Sequence, residues 1–69
     1  MKKFKIKSEF EILNKLFIEG DIVFISDPIH IMDGQYDYAR KIFDENKNYL
    51  GKISDNYFEK NINHKITKI

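Results

Sequence analysis

The side chains of this 69-residue chain best suited to chemistry are its tyrosines. Tyr36, Tyr38, Tyr49 and Tyr57 are interleaved with Arg40, Lys41, Lys52 and Lys60. Rings beside cations stack single-stranded bases while the cations meet phosphates. Tyrosine with arginine also makes the energetic centres of protein interfaces. A third use is structural, with rings walling a small core and hydroxyls left in water. Tyr36, Tyr38, Arg40, Tyr49, Lys52 and Tyr57 are therefore the candidate partner-binding residues.

Catalytic constellations are missing by comparison. His30 and His64 are far apart in the chain, and there is no cysteine to partner either one. Flanked by Ile29 and Ile31, His30 is expected to be a satisfied structural histidine. No glycine-rich phosphate loop, nucleophile elbow or helical His-x-x-x-His pair occurs. Asp27, Asp33 and Asp37 could be gathered around a cation, but they lack the calcium-loop pattern of alternating acids, a glycine and a distant glutamate. The expectation is a protein that is not an enzyme and uses neither metal nor cofactor.

A chain of this length makes one domain. Without cysteine it has no disulfide or thiolate-metal staple, so a homodimer is an open way of adding stability. The formal net charge is +1, yet the charge is unevenly spread. Residues 1–7 carry four lysines, residues 8–45 nine acids against three bases, and residues 46–69 five lysines against two acids. An acidic middle between basic ends argues against a uniformly basic nucleic-acid binder. No stretch approaches the roughly 20 apolar residues of a membrane span. Ser8, Glu9 and Glu11 interrupt any signal-peptide core after the first lysines. A cytoplasmic protein is expected.

The elements that must position these residues can be read in order. Lys2 to Lys7 alternates lysine with Phe4 and Ile6, the pattern of a half-buried strand, and its lysines would suit a sheet edge. Ser8-Glu9-Phe10-Glu11 fits a capping box. Phe10, Ile12, Leu13, Leu16 and Phe17 then form one apolar helical stripe, closed by Gly20, so a helix is expected here. Asp21 to Ser26 reads as the central strand, with Ile22, Val23, Phe24 and Ile25 apolar enough for cover on both faces, and Asp27-Pro28 ends it. Ile29 to Met32 is a second apolar run, and Asp33-Gly34 a hairpin turn.

Gln35 to Phe43 reads as a strand, with Tyr36, Tyr38, Arg40 and Ile42 on one face and Asp37, Ala39, Lys41 and Phe43 on the other. A polar turn at Asp44–Asn48 leads to a returning strand with Tyr49, Leu50 and Ile53, Gly51 marking a bulge. Ser54-Asp55-Asn56 caps one helical turn through Glu59. Ile62, Ile66 and Ile69 remain for a last strand and tail. The expected domain comprises a strand and helix over 1–19, a barrel over 20–62 and a last strand or tail over 63–69. The fold class is mainly β (α+β).

The Gly-Asp-x-Val strand at 20–23, the polar hairpin, the Gly-x-Ile strand at 51–53 and the helical turn before the last strand resemble the Src-homology-3-like small barrels, KOW-type modules being the nearest comparison. Tyr36-Asp37-Tyr38-Ala39, the acidic turn Asp44-Glu45 and Tyr57-Phe58-Glu59 are similar to small prophage-encoded barrel proteins. The resemblance implies a small antiparallel β-barrel with an N-terminal helix added to it. The function expected first is a non-enzymatic protein-binding module, a phage or mobile-element accessory protein that modulates a host protein. The alternative is a nucleic-acid-binding small barrel.

Overall fold

The structure, a computed structural model, describes residues 1–31 and 38–69. Among the described residues there are eight strands: β1 Lys2–Ile6, β2 Phe10–Ile12, β3 Lys15–Phe17, β4 Ile22–Ile25, β5 Ile29–His30, β6 Tyr38–Phe43, β7 Tyr49–Ser54 and β8 Ile66–Lys68. Helix α1 (Asp55–Asn61) and a 3₁₀ turn (Asn63–Lys65) lie between β7 and β8. The Asp33-Gly34 turn, Tyr36 and the first residues of the expected Gln35–Phe43 strand fall outside the described residues.

Among the described residues, six strands form one antiparallel sheet. Its order is β7-β6-β4-β1-β8, with β5 following β4 along the same edge of β6. The Gly20–Ile25 stretch does lead into the central strand. Its burial is one-sided, however: Val23 and Ile25 are buried, whereas Ile22 and Phe24 are half-buried on the opposite face. An all-apolar strand can therefore keep one face open. Strand β1 is also not an edge, because β8 pairs on its far side. Lys3 and Lys5 lie along the open face instead, while Lys2 shares the covered face with Ile25. No pairing joins β7 to β8, so the expected barrel does not close among the described residues.

The expected N-terminal helix is a β-hairpin. Strands β2 and β3 pair Phe10 with Phe17, Glu11 with Leu16 and Ile12 with Lys15. Leu13 and Asn14 make the turn at φ 53° and 61°, the pair of positive values that lets a two-residue turn follow the strand twist. Both periods fit the same letters, since Phe10-Glu11-Ile12 and Lys15-Leu16-Phe17 alternate as well as they spiral. A helix of this length is marginal alone. The hairpin places Phe10, Ile12 and Phe17 in the buried core, with the Phe10 and Phe17 rings stacked at 5.3 Å, and turns Leu16 outward at 52% exposure. Tertiary burial decides against the local signal.

Hairpin and helix cover the same sheet face. The core joins Ile6, Val23, Ile25 and Ile42 from the sheet, Phe10, Ile12 and Phe17 from the hairpin, and Phe58, Ile62 and Ile66 from the C-terminal elements. The cap at Ser54 forms as expected, its Oγ accepting from the Tyr57 amide at 3.0 Å, and α1 runs two residues beyond Glu59. The β6–β7 turn is held by Asp44, whose carboxylate accepts from the amides of Asn48 and Asn46 and from the Asn48 side chain. Those bonds, the Asn48 amide first, lower its pKa. The turn thus gains stability above the ordinary carboxylate value and loses it as pH falls through the lowered one.

Candidate functional site

The structure separates the candidate residues. Arg40 is not free to meet a partner. Its side chain is 15% exposed; Nε donates to Asp55 at 2.7 Å, and the other nitrogens reach Glu59 and the Ser26 carbonyl at 3.4 Å. The guanidinium also lies 4.2 Å from the centre of the Phe58 ring. Arg40 is a clamp between β6 and α1. Tyr38 is half-exposed and pairs across the sheet with His30, the rings 5.3 Å apart. His30 is itself exposed, which corrects its expected place as a satisfied structural histidine. Tyr49 and Lys52 lie on the open sheet face, and Tyr57 on the helix side of the molecule. Tyr36 lies outside the described residues.

Tyr57 lines a groove that the sequence did not reveal. The groove has a volume of about 420 Å³, with Glu11, Ile12 and Leu13 of the hairpin on one side and Ile53, Ser54 and Tyr57 on the other. That volume is in the range of ligand-binding clefts, roughly 300–1,000 Å³. The lining is mainly apolar, with Glu11 as its one charged side chain. Among the described residues Glu11 makes no ion pair. The signal that would have found this site was the alternation around Leu13-Asn14, which makes a hairpin tip rather than a helix interior.

The wall of the groove depends on Gly51. Its φ is +143°, and a β-carbon there would come within 3.1 Å of Leu13 Cδ2. Glycine lets the hairpin tip settle on β7, and the sheet register slips opposite this stretch, between Ile42 and Phe43. Gly51→Ala should cost about 1–3 kcal/mol, from the strained backbone and the displaced leucine together. A urea midpoint equal to that of the unaltered protein would show that the tip does not rest there.

Among the described residues, no group of three or more His, Cys, Asp or Glu is placed to hold a metal, and no helix is long and apolar enough to cross a membrane. No family model matches the chain, and no curated protein or solved structure matches it.

Proposed function

We propose that this chain is a small non-enzymatic protein-binding module that takes an extended peptide segment in the groove between the β2–β3 turn and α1. The observation that carries the proposal is the convergence of Ile12, Leu13, Ile53 and Tyr57 from three separate elements around one open, mainly apolar groove. A tyrosine ring with a polar tip, half-exposed over apolar neighbours, has the character of an interface hot spot. The unpaired Glu11 at the rim favours a segment carrying a basic residue beside apolar ones.

Selection from a display library of unstructured peptides tests this. Enriched peptides should combine a basic residue with two or more apolar ones. Tyr57→Ala should weaken them about 30-fold, the loss expected at a hot spot of roughly 2 kcal/mol, with the thermal melt nearly unchanged. Peptides that bind the Tyr57→Ala protein equally well, or no enrichment at all, would remove the groove as the binding site.

A further inference from the structure

From Lys41 to Tyr49 and across to β1, no described element covers the sheet face away from the hairpin and helix, whereas Ala39 farther along β6 on that face is buried; the register fixes what the open part carries. Residues paired across antiparallel strands share a face. Phe24 pairs with Phe43, and Phe43 with Tyr49, so three rings lie side by side on β4, β6 and β7. Tyr49 and Phe43 are 5.4 Å apart, and Lys47 lies 5.2 Å from the Phe24 ring. Beyond Phe24 the row ends at Lys3 of β1. From Tyr49 to Lys3 it crosses three strand spacings, about 14 Å.

The charged residues at the outward strand positions of this face have one sign. Lys3 and Lys5 project from β1, Lys41 from β6 and Lys52 from β7, and all four are exposed. The outward strand positions carry no acid. Lys41 and Lys52 stand directly opposite each other, an arrangement that destabilises a sheet. Next to Lys5, at the β1–β8 side, is a hollow of about 580 Å³ lined in part by Lys7 and Thr67, with Glu19 its one acid. At the other end Asp44 and Asp21 are turned into their own loops, bonded to Asn48 and to the Ile18 amide, and the exposed Glu45 lies beside Ile22 at the rim of the face.

From this placement we infer that the open face binds single-stranded nucleic acid, bases stacking on Tyr49, Phe43 and Phe24 and phosphates meeting Lys3, Lys5, Lys41 and Lys52. Two copies of the chain pressed face to face would set lysine against lysine, so self-association is disfavoured here. A neutral partner would leave the opposed lysines uncompensated. A polyanion with flat faces satisfies both features at once. This surface is independent of the groove beside Tyr57.

The test is fluorescence anisotropy of the full chain with a labelled 12-nucleotide single strand, as DNA and as RNA. Saturable binding is expected, together with quenching of tyrosine emission. With about four phosphates neutralised, affinity should fall roughly 50-fold between 50 and 200 mM salt. Tyr49→Ala should weaken binding about tenfold or more. Lys52→Glu should abolish binding while raising the melting temperature, because it replaces a like-charge pair with an opposite one. No structural role of Lys52 predicts both changes. Absence of binding at low salt, or unchanged affinity in Tyr49→Ala, would overturn the inference. So would equal affinity for heparin or for vesicles of anionic lipid, because rings that stack bases must prefer bases.

Discussion

Phe17→Ala is expected to leave most of the chain unfolded at 25 °C. The ring is 1% exposed and stacked on Phe10, and with Phe10 and Ile12 it is what holds the hairpin against the sheet. Truncating a buried phenylalanine costs about 3–5 kcal/mol, and a core in a chain of this length leaves about the same net stability. Far-ultraviolet circular dichroism in a urea titration reads the result directly. The adjacent Leu16→Ala is the control. Leu16 points outward opposite Glu11, so its loss should change stability by about 0.5 kcal/mol or less. On a helical stripe both residues would be costly. A large loss at Leu16 together with a small one at Phe17 would reject the hairpin arrangement.

Arg40→Ala is expected to cost about 2–3 kcal/mol, well above the range of an exposed ion pair. Three contributions meet at that guanidinium: the short bond to Asp55, contact with the Phe58 face and a long reach to Glu59 and the Ser26 carbonyl. Asp55 and the ring carry most of the effect. Glu59 is half-exposed and its bond is long, so Glu59→Gln should change little. Arg40→Lys should recover less than half of the loss, because an ammonium has neither the planar fork nor the stacking face. Thermal melts of the three variants rank these contributions. If Arg40→Ala melted like the unaltered protein, the arginine would be a free binding residue, as its place among the tyrosines implied.

The two proposed surfaces lie on opposite sides of the sheet. One side of the sheet is spent on the core, and the hairpin and α1 that cover it leave a groove between them. Among the described residues the other side carries rings and lysines along the row from β7 to β1. On the two proposed readings the variants separate: Tyr57→Ala should act at the groove, Lys52→Glu at the open face, and Phe17→Ala or Arg40→Ala on the fold that supports both.

Much of the strand content was legible from local chemistry. Alternation marked β1, the run of branched and aromatic residues after Gly20 marked β4, and the polar cluster at Asp44–Asn48 marked the β6–β7 turn. Ser54 announced its helix, since a serine hydroxyl accepting an amide three residues on is a local interaction. Period alone could not decide residues 8–19, because Phe10, Ile12 and Phe17 satisfy a helix and a hairpin alike. The choice was made by burial against Ile6, Val23, Ile25 and Phe58, a contact between distant parts of the chain. The candidate residues sorted in the same way. Residue types identified rings and cations suited to binding, but Arg40 is consumed by Asp55 and Phe58, while Leu13 enters the groove because Gly51 lacks a side chain. The pairing of Phe24, Phe43 and Tyr49 into one row is likewise a matter of register between three strands. Sequence determined which local elements and chemistries were available, and tertiary packing decided which face each residue presents, because exposure is a property of the neighbours and not of the residue.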